Sequence, residues 1–312
     1  MDRNSTIFIA GGAGLIGQAC VRQFQQRGYA SILAPSRQEL DLADTKAVGA
    51  YFQQNNIDIV VLAAGKVGGI LENKNNPVDF LNVNLPIQMN VCEAAQHSDC
   101  QKVVLFGSSC IYPKHCSQPM KAEDLFTGKL EPTSMAYALS KIVGLQHGFS
   151  CNHQFGTDKF LGIIPNSAYG PGDNFNPESG HVLSALIHRF HQAKASGADR
   201  VILWGSGSPR REFLFSDDIA DAIIFLLEQG VSTPDLPINI GSGLDYSIKE
   251  LAETIQAEID FKGEIDWDHT KPDGAPRKLL DSSALQSLGW QAATTLKNGI
   301  EKTYRWYLDN RV

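Results

Sequence analysis

Tyr137 and Lys141 stand four residues apart in Tyr137-Ala138-Leu139-Ser140-Lys141, inside a run of helical pattern. That spacing stacks both side chains on one helix face, one turn apart. A free tyrosine hydroxyl titrates near pH ~10 and is a poor acid or base at neutral pH. An ammonium group beside it stabilises the phenolate and is expected to lower that value. Such a pair can pass a proton to or from a carbonyl oxygen while a hydride adds to the carbon. Ser108 lies in Gly107-Ser108-Ser109-Cys110-Ile111-Tyr112-Pro113, just after the apolar run 102–106 (KVVLF). It is therefore expected at the carboxyl end of a buried strand, where open α/β sheets bind ligands. A serine there often only forms a turn or cap. With Tyr-x-x-x-Lys downstream, it offers a hydroxyl to the same carbonyl oxygen.

A hydride needs a source, and the N-terminal residues supply a place for one. Residues 6–10 (TIFIA) lead into Gly11-Gly12-Ala13-Gly14-Leu15-Ile16-Gly17 and then a helical pattern. Glycines 11, 14 and 17 allow a tight turn, close approach to a pyrophosphate, and close helix–strand packing. The helix start adds free N–H groups and a positive dipole end. These seven residues are the expected phosphate cradle of a dinucleotide. At the end of the second strand the chain reads Ala34-Pro35-Ser36-Arg37, without the acidic residue that binds an NAD ribose. Arg37 suits a 2′-phosphate, so NADP (as NADPH) is the expected cofactor. Glu39 and Asp41 lie close enough to reach a ribose instead.

These groups must be positioned by alternating elements. Strand-like runs occur at 7–10, 31–34, 59–63, 103–106 and 160–164, with helical segments between them at 15–27, 45–54, 78–96 and 134–155. The alternation predicts an α/β fold, a Rossmann-type doubly wound parallel sheet. Beyond about Pro165 the rhythm breaks, with helices expected near 181–195, 216–228, 247–259 and 295–307. The expected organisation is a dinucleotide-binding domain over 1–165 and a smaller, mainly substrate-binding region over 166–312, between which the chain can cross back.

Bulk properties narrow the class. A chain of 312 residues has ample core for one large or two moderate domains. A net charge of −7 argues against a nucleic-acid surface, so an anionic ligand must be held by local Arg, Lys and helix ends. There is no run of eighteen apolar residues and no signal-peptide pattern, so neither membrane insertion nor secretion is expected. The six cysteines (20, 92, 100, 110, 116 and 151) show neither metal-type pairing nor a short disulfide framework. They read mostly as buried thiols in a reducing cytoplasm. His188 and His191 flank Arg189 but lack further ligands, so no metal site is expected.

The glycine fingerprint, Ser108, Tyr137 and Lys141 together resemble the extended short-chain dehydrogenase/reductases that act on nucleotide sugars. Longer segments resemble one branch of them, the GDP-fucose synthases. These segments are 63–70 (AAGKVGGI), 107–114 (GSSCIYPK), Glu131-Pro132-Thr133, 169–175 (YGPGDNF), 204–207 (WGSG), Arg211-Glu212-Phe213 and 271–281 (KPDGAPRKLLD). The resemblance runs from Ile7 to about Trp306. It implies an NADPH-dependent epimerase/reductase acting on a GDP-linked 4-keto-deoxy sugar. It assigns Ser108, Tyr137 and Lys141 to reduction, Cys110 as base and His181 as acid at the carbons flanking the ketone. It places Leu42, Ala63, Ala64, Lys141, Pro165, Ser167 and His181 around the cofactor, and Arg189, Trp204, Arg211, Asp273 and Lys278 around the substrate. A cytoplasmic homodimer is the expected form.

Two departures are visible. Gly12 stands where those synthases commonly carry an arginine. Pro165-Asn166-Ser167-Ala168 replaces their usual Pro-Thr-Asn-Leu. The second points to a changed sugar, such as a 4-keto-heptose or a 3,6-dideoxy-4-keto-hexose. Alternative readings are a C4 reductase alone, an epimerase without net redox, or a non-catalytic dinucleotide-binding protein. The intact Ser108, Tyr137 and Lys141 argue against the last.

Overall fold

Alternate residues of the central strands face opposite sides, and both sides are apolar. In β1 (Ile7–Ala10), Ile7 and Ile9 enter one core while Phe8 and Ala10 enter another. The same division holds in β3 (Ile59–Leu62), β4 (Lys102–Phe106) and β5 (Phe160–Pro165). Strands buried on both faces belong to a parallel sheet covered by helices, and that is the architecture of the computed structural model. It describes residues 1–232, 235–271 and 273–310, the side chain of Ile70 excepted. Pro272 of the 271–281 segment lies outside the described residues.

The main sheet has six strands in the order β2-β1-β3-β4-β5-β9, all pairs parallel, with β2 at Ile32–Leu33 and β9 at Ile238–Ile240. Helices α1 (Leu15–Gln26) and α7 (Ser216–Glu228) cover one face. Helices α2 (Thr45–Gln54), α4 (Pro77–Gln96) and α5 (Met135–Phe155) cover the other. A short α3 (Ile70–Asn75) precedes α4. Strand order reverses between β1 and β3, and ligands bind at such a switch point, beyond the carboxyl ends of the strands.

The remaining elements build a second body. They are β6 (Ser167–Tyr169), α6 (Val182–Ser196), β7 (Arg200–Trp204), β8 (Arg210–Phe215), β10 (Asp245–Ser247), α8 (Ile248–Ile259), β11 (Glu264–Asp268), β12 (Arg277–Lys278) and α10 (Leu296–Asn310), whereas α9 (Ser283–Ser287) puts Leu285 into the core of the main sheet. Strand β8 pairs with β6, β10 and β12, and β7 pairs with β11. A third apolar core, with Phe190, Phe213, Leu251 and Ile300, lies under α6, α8 and α10. The division is not a single cut along the chain. After β6 to β8 the chain returns: α7 packs on α1 through Arg22–Asp217 and Arg27–Glu228 ion pairs, and β9 joins the edge of β5. No helix among the described residues is long and apolar enough to cross a membrane.

Candidate active site

The turn after β1 is closed by contact, not by flexibility. Gly11 has φ +86°, and a Cβ there would stand 2.7 Å from the Ala64 backbone at the end of β3. A Cβ on Gly17 would stand 2.0 Å from the Gly11 carbonyl oxygen, so α1 is held against the turn it follows. Gly12 faces Ala34 after β2. Ala13 lends its carbonyl to Gln18, while Gly14 caps α1 and Leu15 and Ile16 begin it. No acidic side chain occupies the first turn of α1, so its free N–H groups face no competing anion there.

Ser108 lies just past β4 and caps the single turn Ser109–Ile111, accepting from the Cys110 N–H at 3.3 Å. Its hydroxyl lies close enough to the Tyr137 hydroxyl to act on its titration. Tyr137 is buried on α5 and packs edge-on against Phe80, with ring centroids 5.7 Å apart. Burial raises its pKa, the charge of Cys110 adds to the rise, and the nearby Ser108 hydroxyl opposes it. Sequence reasoning expected Lys141 to lower this value, but in the protein alone burial dominates. Lys141 is 5% exposed, and burial lowers its pKa to about 8. A Cβ on Gly65 would stand 3.5 Å from the Lys141 Nζ, so the ammonium lies against the strand-end backbone.

Beneath Lys141 runs a polar layer that sequence reasoning missed. Asn84 donates to Ser140 Oγ at 3.2 Å and accepts the Lys66 N–H at 2.6 Å. Gln88 donates to the Ser140 carbonyl at 3.0 Å. Two amides on the buried face of α4 were the available signal, since burial of such groups demands partners.

The second body brings further groups to the same place. Lys278 on β12 extends its Nζ to 3.7 Å from Cys110 Sγ. Arg211, beside Lys278 in register on β8, is half-buried, and its charge also acts with Cys110. Glu212, fully buried, accepts from Asn166, from the Gly243 N–H at 2.7 Å and from the Leu280 N–H at 3.1 Å. Sequence reasoning recognised Glu212 only as part of a motif and assigned it no task. His181 is exposed at the start of α6. Asp173, which holds Ser184, is near enough for the charge of His181 to oppose the upward pKa shift that burial gives the carboxyl. The Ser179 carbonyl accepts from the Gly69 N–H at 3.3 Å, which ties the loop before His181 to the segment after β3.

Farther out, Trp204 is 55% exposed, with Arg189 at 6.0 Å and Lys271 at 5.6 Å from its ring. Asp273 is occupied by Ser206, accepting its N–H at 2.9 Å and its hydroxyl at 2.7 Å. Arg37 is exposed and makes no ion pair among the described residues. Glu39 accepts the Ser36 N–H at 2.7 Å and Asp41 the Ala43 N–H at 3.0 Å, so both carboxylates shape the turn itself. The Leu42 carbonyl accepts from Asn90 at 2.9 Å. Among the described residues, no cluster of three or more His, Cys, Asp or Glu could hold a metal ion.

A dinucleotide fits this arrangement. The Gly11–Ala64 approach leaves a bare backbone surface, α1 presents free N–H groups, and Lys141 and Arg37 are cations without carboxylate partners among the described residues. The model of the NAD dependent epimerase/dehydratase family matches residues 7–241. The chain belongs to this family. Over 309 residues it is 47% identical to GDP-L-fucose synthase 1 of Arabidopsis thaliana, covering 99% of this chain and 95% of that protein. It is 45% identical to GDP-L-fucose synthase of Escherichia coli (strain K12), with 98% and 97% covered. A solved GDP-mannoheptose C4 reductase from Campylobacter jejuni, with NADP bound, superposes with a TM-score of 0.89 at 35% identity, covering 99% of both chains.

Within the family fold, the departure at 165–168 has a physical place. Pro165 ends β5, and Asn166 turns into the buried Glu212 network, using its oxygen for the Ser167 N–H at 3.0 Å. Ser167 begins β6 and pairs with Phe213 of β8. The smaller side chain thus falls at the junction of the two bodies.

Proposed function

We propose that this chain is an NADPH-dependent epimerase/reductase that converts a GDP-linked 4-keto-6-deoxy sugar into a GDP-deoxy-L-sugar. The observation that carries the reading is the convergence of Ser108 and Cys110 on the buried Tyr137, with Lys141 one helical turn away. When bound, NADPH supplies the hydride that adds to C4. Ser108 and Tyr137 orient the C4 oxygen, and Tyr137 gives it a proton. Lys141 stabilises the resulting phenolate and holds a ribose hydroxyl. Before reduction, Cys110 removes a proton from the carbons flanking the ketone, where the carbonyl makes hydrogens acidic. His181 returns a proton on the opposite face, and inversion follows. Arg37 holds the 2′-phosphate, Arg211 the sugar or diphosphate, and Trp204, between Arg189 and Lys271, stacks on the guanosine.

A C4 reductase without epimerisation is the second reading. It is favoured by Ser167 at the junction of the bodies and by the likeness to the GDP-mannoheptose C4 reductase. The test is incubation with GDP-4-keto-6-deoxy-mannose and NADPH in deuterium oxide. Epimerase/reductase activity consumes NADPH and gives an L-configured product deuterated at C3 and C5. NADPH consumption without deuterium at either carbon means reduction alone. Absence of both NADPH consumption and exchange with every GDP-4-keto sugar tried defeats the reading.

A cytoplasmic homodimer belongs to the same proposal. Met135, Leu139 and Val143, four apart along α5, remain exposed and form an apolar stripe suited to a second copy. Light scattering on the purified chain measures the mass.

A further inference from the structure

We propose that Lys278 is the positioning residue whose ammonium steadies the negative charge on the Cys110 sulfur when it acts as the base, and so sets the rate of the epimerising half of the reaction. This rests on the reading of Cys110 as the base. The ammonium stands 3.7 Å from the sulfur. Among the described residues Lys278 makes no ion pair with a carboxylate, so its charge is not spent elsewhere. Its strand is held on several sides. Lys278 is in parallel register with Arg211 of β8, Arg277 pairs with Asp245, the Leu279 N–H donates to Gln118 at 2.8 Å, and the Leu280 N–H donates to Glu212. A long side chain rooted in so fixed a strand presents its charge to one place.

The charges around the sulfur agree. The titratable groups facing Cys110 are Tyr137 from α5, Arg211 from β8 and Lys278 from β12. Two of the three are cations, and an adjacent cation favours thiolate over thiol. The third, Tyr137, must stay protonated to act as an acid, and a negative sulfur beside it favours the protonated form. A single cation on Cys110 therefore serves both half-reactions. In the first, the C–H bond next to the ketone breaks, its proton forms S–H on Cys110, and its electron pair becomes the enolate. The thiol later gives that proton to water.

The test is alkylation of Cys110 by iodoacetamide in the full chain, followed by peptide mass spectrometry as a function of pH. The wild type is compared with Lys278→Met and Lys278→Arg, and Cys110→Ser marks the background from the other cysteines. Lys278→Met should move the alkylation midpoint up by a unit or more, which is about a tenfold loss of rate at neutral pH. Lys278→Arg should stay near wild type. Deuterium exchange at C3 and C5 of GDP-4-keto-6-deoxy-mannose should fall with alkylation. If Lys278→Met alkylates along the wild-type profile, the proposal is overturned, and a raised KM in that variant would make Lys278 a nucleotide contact. If Cys110→Ser exchanges both hydrogens at the wild-type rate, the base is another group and the underlying reading falls. Loss of exchange in Cys110→Ser with unchanged alkylation in Lys278→Met overturns the Lys278 role alone.

Discussion

Burial sets the behaviour of Tyr137 and Lys141, the pair proposed to serve reduction. Tyr137 is pushed towards the protonated form and Lys141 towards the neutral one, so the protein alone holds a proton on the tyrosine and destabilises the charge of the lysine. Tyr137→Phe should retain NADPH binding and slow reduction by about two to four orders of magnitude, the range for loss of a general acid. Stopped-flow decay of NADPH absorbance measures it, and near wild-type turnover removes Tyr137 from that role. Lys141 gives a stability prediction with a definite sign. Its folded pKa of about 8 lies below the ordinary lysine value of 10.5, so between these values the unfolded chain binds more protons. Stability should therefore rise with pH across that window, and the penalty is full below about 8. Lys141→Met should make the cofactor-free protein more stable at pH ~7, by on the order of 1–3 kcal/mol, with the gain shrinking as pH rises above ~8. Thermal unfolding at several pH values reads this directly. Arg37→Ala should weaken NADPH by about 1.5–3 kcal/mol and leave NADH almost unchanged, since only NADPH carries the 2′-phosphate. Calorimetric titration with each cofactor separates the two.

At the scale of elements, the β1 turn and α1 act as one rigid part. Gly17→Ala puts a methyl group 2.0 Å from the Gly11 carbonyl oxygen, so α1 must shift away from the turn. Overpacking of this kind costs about 1–3 kcal/mol. The same shift should lower NADPH affinity, and urea unfolding paired with cofactor titration checks both losses. The sequence makes this part legible because its information is local: an apolar strand, fixed glycines and a helical pattern lie next to one another. Strands β1, β3, β4 and β5 are legible for a similar reason, being buried on both faces and bounded by loops. Strand β9 was not foreseen, because Ile238-Asn239-Ile240 is too short to show a period and gains its identity only by pairing with β5. The same limit applies within the site. Tyr137, Lys141 and Ser108 announce themselves through spacing. Asn84, Asp173 and Glu212 do not, because each acts through partners distant in the chain.

At the scale of the whole molecule, Glu212 is the tie between bodies. Its carboxylate, which burial pushes towards a higher pKa, accepts from the residue after β5, the segment after β9 and the residue two beyond β12. Glu212→Ala would orphan those donors together, at about 1–3 kcal/mol for each one left buried. Chemical denaturation should show a loss of several kcal/mol, and Glu212→Gln, which still accepts, should lose less. The return of the chain through α7 and β9 also decides when the protein can fold. On a ribosome, residues 1–165 emerge with β5 unpaired along one edge, and its partner at Ile238–Ile240 is not yet made. An apolar, unpaired strand edge is an aggregation template. The nascent first half must therefore wait for over seventy more residues before its sheet is finished, because 238 − 165 is 73. A fragment ending at Pro165 should accumulate as aggregate, while translation stalled beyond residue 240 should yield a protease-resistant first body while still attached to the ribosome.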